Sequence, residues 1–125
     1  MVDLLQMRDI PGVKGVVQVS HEGLLEAHSM DGTTDQVAAI TTHLSTTAQQ
    51  VCAVMDYEVI DYCLFSQENG KDPILIFPYK SSFIGVVIDV SQAMAGIADA
   101  SHTYFSKESI VASRTLSRIR SMMRS

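Results

Sequence analysis

The chain has 125 residues, 46% hydrophobic and 18% charged, which fits one folded domain with a real core and excludes a disordered chain. No stretch approaches the roughly 18 apolar residues of a membrane span, and the opening MVDLLQMRDIPG lacks the basic and apolar blocks of a signal peptide, so a cytoplasmic location is expected. The net charge of −5 is uneven, with 4 basic and 13 acidic side chains in residues 1–100 against 5 and 1 in residues 101–125, and the acidic body disfavours nucleic-acid binding.

Residues 3–9 predict a short helix that stops before Pro11. VKGVVQVS, 13–20, is Val-rich and partly alternating, hence a strand. His21-Glu22-Gly23 reads as a hairpin loop with Gly23 suited to a positive φ, and 24–30 as the returning strand. Asp31-Gly32 turns the chain, and Thr33 followed by Gln36 forms a capping-box signature, with Asp35 well placed at the positive helix end.

Gln36 to Met55 then runs for twenty residues without Asp, Glu, Lys or Arg. Val37, Ile40, Leu44, Ala48, Val51 and Met55 recur at helical spacing and form the stripe expected to face a sheet. The other stripe, Ala39, Thr42, Thr46, Gln49 and Ala53, is small or neutral, whereas an ordinary surface helix carries charge there. A covered outer face accounts for this, and a solvated Thr/Gln-rich face is the plainer alternative.

Three strands are expected next. YEVIDYCLFSQ, 57–67, is apolar on both alternating faces, with Ile60, Tyr62 and Leu64 on one and Val59, Cys63 and Phe65 on the other. Asn69-Gly70 is a type I′ hairpin signal. PILIFPY, 73–79, and FIGVVIDV, 83–90, follow, joined by a tight turn at Lys80-Ser81-Ser82. Ser91 caps a helix to about Ala100. The order α-β-β-α-β-β-β-α specifies an α+β fold, a five-stranded antiparallel sheet with helices on its faces. Residues 101–125 form a basic amphipathic extension beyond a 1–100 domain. Ala112, Leu116, Ile119 and Met123 make one stripe, while Arg114, Arg118, Arg120 and Arg124 fan across the other side. Such a helix can lie on an anionic membrane or dock on an acidic partner; a solvated basic face on a helix that is packed against its own domain or frayed is the simpler reading.

Chemistry is sparse. His21-Glu22 opens like a zinc-protease motif, but Leu25 stands where the second His belongs. His28 and His43 have no ligand at metal spacing. Gly70-Lys71 lacks the rest of a P-loop, and Ser20, Ser29, Ser81 and Ser82 lack the nucleophile-elbow context. Cys52 and Cys63 read as small buried hydrophobes rather than a disulfide. No catalytic residue, metal or cofactor is assigned, and the chain is read as a non-enzyme.

In order and spacing, IPGVKGVVQVSHEGLLEAHS, TTDQVAAITTHLSTTAQQV, the strands flanking ENGKDPILIFPY and the closing FIGVVIDV resemble the Roadblock / dynein light chain family, from about Asp3 to Ala100. The segment HEGLLEAHS departs from the dynein light chain pattern and looks more like the bacterial or archaeal branch. The first helix is shorter than in bacterial activators, and the basic tail is an addition. The resemblance implies the long helix on one sheet face and the terminal helices on the other. It also implies a homodimer in which strand 57–67 pairs across a two-fold axis and the long helices lie side by side. Ala39, Thr42, Thr46, Gln49, Ala53, Val59, Asp61, Cys63 and Phe65 are then the expected interface. Family members are mostly platforms for small Ras-like GTPases, and some bacterial ones activate GTP hydrolysis. The expected role is therefore a GTPase regulator or scaffold. The rivals are a structural adaptor with no effect on nucleotide turnover and a small-ligand sensor.

Overall fold

A computed structural model describes residues 4–30, 32, 34–55, 62–66 and 72–90 and the helix Lys107–Arg124, within which side chains are described from 112 to 122. The elements are α1 (Leu4–Arg8), β1 (Val13–Ser20), β2 (Leu25–Ser29), α2 (Thr34–Met55), β3 (Cys63–Phe65), β4 (Ile74–Tyr79), β5 (Ser82–Ile88) and α3 (Lys107–Arg124). The strands form one antiparallel sheet in the order β2-β1-β5-β4-β3. This is the expected five-stranded α+β architecture. The capping residue Thr33, the Asn69-Gly70 turn, the helix expected over 91–100 and the outer parts of strand 57–67 lie outside the described residues.

The central strands carry apolar side chains on both faces, as strands buried between two layers must. In β4, Leu75 and Phe77 join one core cluster while Ile74 and Ile76 join the other. Val16, Ile84, Val86 and Ile88 meet Leu4 and Met7 of α1 and Ala112, Leu116 and Ile119 of α3 on one face. Val17 meets α2 on the opposite face, with Val37 buried and Ile40 and Leu44 half-buried beside it. The 101–125 segment thus contributes three buried core residues, through the apolar stripe read in its sequence.

α2 reaches the sheet differently from its stripe. Its buried residues are Val37, Ala38, Thr41 and Ser45, whereas Val51 and Met55, expected to face inward, are 52% and 55% exposed. The reason lies on β5. Gly85 has no side chain, and a Cβ there would run into the Thr41 hydroxyl, so the helix settles closest at Thr41 rather than on a large apolar residue. Thr41 Oγ1 donates to the Val37 carbonyl at 2.8 Å and Ser45 Oγ to the Thr42 carbonyl at 3.0 Å. The helix's own backbone therefore satisfies the hydroxyls, and their burial leaves no orphaned donor.

The β1–β2 connection is held by Ser20. Its hydroxyl accepts from the backbone N–H groups of Glu22 and Leu24 at 3.2 and 3.1 Å, and its own N–H donates to the Leu24 carbonyl at 2.9 Å. Gly23 supplies the positive φ, 90°, that the loop requires. The β1–β2 register slips between Gln18 and Val19, leaving Glu26 as the extra residue of a bulge. Its carboxylate accepts the Ser82 hydroxyl from β5. At the other end of the sheet Lys14 pairs with Asp72 at 2.7 Å. The aspartate's hydrogen bond and charge hold the Lys14 ammonium above its ordinary value.

Gly85→Ala is expected to destabilise the fold by about 1–3 kcal/mol through overpacking, and by less in a Thr41→Ala background, as read from urea unfolding. Ile119→Ala should lower stability by about 2–5 kcal/mol, a loss that a dangling tail would not show.

Candidate functional site

α2 spans the sheet from one side to the other. Near its start Ala38 packs with Val19 of β1 and Phe83 of β5. Near its end Cys52 lies close enough to Cys63 of β3 for the two thiols to interact electrostatically. A 22-residue helix is about 33 Å long, whereas five strands span only about 19 Å between their outer axes. The last turn and a half lies at the β3 edge of the layer beneath it. Val51, Val54 and Met55 therefore emerge 52%, 84% and 55% exposed, and with Thr47 and Gln50 they line a shallow apolar groove.

Beside this groove lies an open sheet edge. β3 occupies the end of the strand order, and among the described residues its one pairing is with β4, Cys63 opposite Ile76 and Phe65 opposite Ile74. Cys63 and Phe65 are half-buried against the α2-side cluster and Leu64 against the α1/α3 side. An unpaired edge next to exposed aliphatic side chains is a surface for strand pairing and helix contact.

The predicted interface residues divide into four groups. Ala39, Thr46, Gln49 and Ala53 are exposed on α2, as an uncharged seam facing away from the sheet requires. Thr42 is half-buried because it leans on the β1–β2 loop, where a Cβ added at Gly23 would stand 3.1 Å from its Cγ2. Cys63 and Phe65 lie on the edge strand, with side chains turned under α2. Val59 and Asp61 lie outside the described residues. The seam thus starts on the flank of α2 facing the hairpin loop, while the apolar stripe that contains Ile40 and Leu44 comes out near β3 as Val51 and Met55. Val54 had no place in either predicted stripe. The signal that would have found it is helix length against sheet width.

Little else offers chemistry. His28 and His43 are exposed, and His21 stacks at 4.8 Å on the Phe83 ring in a packing contact. Among the described residues no group of three or more His, Cys, Asp or Glu is placed to hold a metal ion. Both cysteines are free thiols. Burial, with a smaller contribution from Cys52, pushes the Cys63 thiol up. On α3, Ala112, Leu116 and Ile119 are turned into the core, so this apolar stripe is not free to enter a bilayer, and Arg114, Arg118 and Arg120 are half-buried along its flanks. Among the described residues no helix is long and apolar enough to cross a membrane.

This arrangement is the Roadblock/LC7 fold. A Roadblock/LC7 domain from Streptomyces avermitilis matches at a TM-score of 0.62 and 11% identity, over 98% of this chain and 95% of that one. The gliding protein MglB from Thermus thermophilus matches at 0.62 and 12%, over 95% and 86%. MglB from Myxococcus xanthus matches at 0.55 and 11%, over 90% and 84%. A structure of MglB in a tetrameric arrangement matches at 0.62 and 12% identity, over 95% and 85%. No protein-family model and no curated relative matches the sequence.

Because the folded chain holds the Cys63 proton more tightly than the unfolded chain, stability is level below the ordinary thiol value of 9.0 and falls as pH rises past it. Cys63→Ala should flatten that fall, measured by chemical unfolding across alkaline pH.

Proposed function

We propose that this chain is a non-enzymatic homodimer that binds a small Ras-like GTPase and regulates or scaffolds it. The fold supports a Roadblock-type regulator, and the observation that carries the dimer is the exposed Val51-Val54-Met55 end of α2 beside the open edge of β3. Two copies related by a two-fold axis bring β3 against β3 and α2 against α2. The contact covers the aliphatic end of the helix, satisfies the free strand edge and gives the uncharged seam of Ala39, Thr42, Thr46, Gln49 and Ala53 a neighbouring surface. Cys63 and Phe65 belong to the strand that pairs, and the proposed interface also takes in Val59 and Asp61, which lie outside the described residues. The cytoplasm, where such GTPases work, is the proposed location, and no cofactor is needed for this role.

Arginine placement constrains the mechanism. GTPase activators commonly insert an arginine at the transition state, worth about 10³–10⁵ in rate, but between residues 9 and 113 this sequence has none. Arg8 is half-buried at the end of α1 and already engaged within the molecule. Activation by ordering the partner's own catalytic residues is the reading favoured here, and an arginine of α3 is the alternative that the variants below test. Since Leu116 and Ile119 are core residues, removing the tail would test folding rather than mechanism. The informative variants are Arg8→Ala and Arg114→Ala/Arg118→Ala in the full chain. GTP hydrolysis stimulated by these variants should stay within about threefold of the unmodified chain; a loss of about 10³ in either would place an arginine at the transition state and reject the ordering mechanism.

Val54→Glu should convert the dimer to monomer in sedimentation velocity without lowering the melting temperature of the subunit; an unchanged mass would remove α2 from the interface. Capture from a native lysate with GTPγS or GDP tests the partner. A P-loop GTPase retained only with GTPγS is expected. Equal capture in both nucleotide states favours a structural adaptor, and capture of no GTPase rejects the regulator.

A further inference from the structure

We propose that the outer face of α3 is a second contact surface, which docks on the acidic β1–β2 hairpin of another copy of this chain. With Ala112, Leu116 and Ile119 committed to the core, the helix presents Ser113, Ser117 and Ser121, all exposed, with Arg114 and Arg118 half-buried alongside them. The two arginines are one helical turn apart and share a flank. Among the described residues neither forms an ion pair. Among the described residues this face offers hydroxyls and guanidinium forks and no large apolar side chain, a composition that favours an anionic, polar surface over hydrocarbon.

The chain itself supplies such a surface. Residues 1–100 carry 13 acidic side chains against 4 basic ones. On the edge strand β2 and its loop, Glu22 and Glu26 are both exposed, with Leu24 68% exposed and Leu25 38% exposed between them. Carboxylates there match the guanidinium forks, and the aliphatic stems of the arginines cover the leucines. Nothing in the α2–β3 contact uses either patch. Because the two patches differ, the contact is head to tail and adds copies or dimers in succession instead of closing on a two-fold axis. It is also sensitive to salt, since the Debye length falls from about 10 Å at 0.1 M to about 3 Å at 1 M.

Sedimentation velocity on the full chain over a concentration series tests this. At low salt the average mass should climb beyond the dimer with concentration, and about 1 M salt should return it to the dimer. Arg114→Glu/Arg118→Glu and Glu22→Arg/Glu26→Arg should each stop the growth, and mixing the two variants should restore association between them. Glu22→Arg alone leaves the Ser82 hydrogen bond intact; if the double variant fails to fold, it should still weaken association about tenfold. In Val54→Glu the head-to-tail growth should persist from monomers, so loss of the α2–β3 dimer and loss of this contact read differently. A mass independent of concentration at low salt overturns the proposal. So does growth that survives charge reversal, or arginine-dependent binding to phosphatidylserine vesicles by a chain that does not self-associate.

Discussion

Everything in this molecule follows from two central strands that are apolar on both sides. β4 and β5 bury Leu75, Phe77, Ile84, Val86 and Ile88 toward one layer and Ile74 and Ile76 toward the other. A sheet of this kind is stable only if both faces are covered, because each large aliphatic side chain left in water forgoes about 1.5–3 kcal/mol. Among the described residues there are two sources of cover. One is the long helix α2, without Asp, Glu, Lys or Arg from Gln36 onward, and the other is a pair of helices, α1 and α3, from distant parts of the sequence. The edge strands, by contrast, can be short or polar: β2 is largely exposed and β3 is described over three residues. The core fixes the centre, and the edges are left for contact.

Much of the architecture was legible in the sequence because strand and helix periods are local. VKGVVQVS is a strand over the residues expected, and the Lys80 turn joins β4 to β5 with a positive φ of 53° at Lys80 itself. The inward face of α2 was harder to read. Thr41 and Ser45 look solvated by composition, yet they are buried because Gly85, more than forty positions away, leaves room for a close approach and because the hydroxyls bond back to their own helix. That information lies in no single window of sequence.

The candidate surface was legible in part for a related reason. An uncharged outer face on the long helix follows from residue types alone, and Ala39, Thr46, Gln49 and Ala53 are exposed on it. The apolar groove at Val51, Val54 and Met55 depends on where the sheet ends beneath the helix, a tertiary dimension that composition does not carry. For α3 the situation is reversed. Its apolar stripe was plain in the sequence, but only the three-dimensional arrangement shows that this stripe completes the subunit's own core.

That arrangement bears on how the protein is made. α1 and α3 share one cluster, yet α1 leaves the ribosome about a hundred residues before α3. At about 5–20 residues per second the interval between completing β5 and completing α3 is on the order of seconds. During it, the sheet can form with one face roofed by α2 while, among the described elements, only α1 covers the other, so that Phe77, Ile84 and Val86 lack the cover that Leu116 and Ile119 later supply. The nascent subunit thus passes through a lopsided stage, sticky on the face that is sealed in the finished molecule, and its escape from aggregation rests on how soon the last helix closes over it.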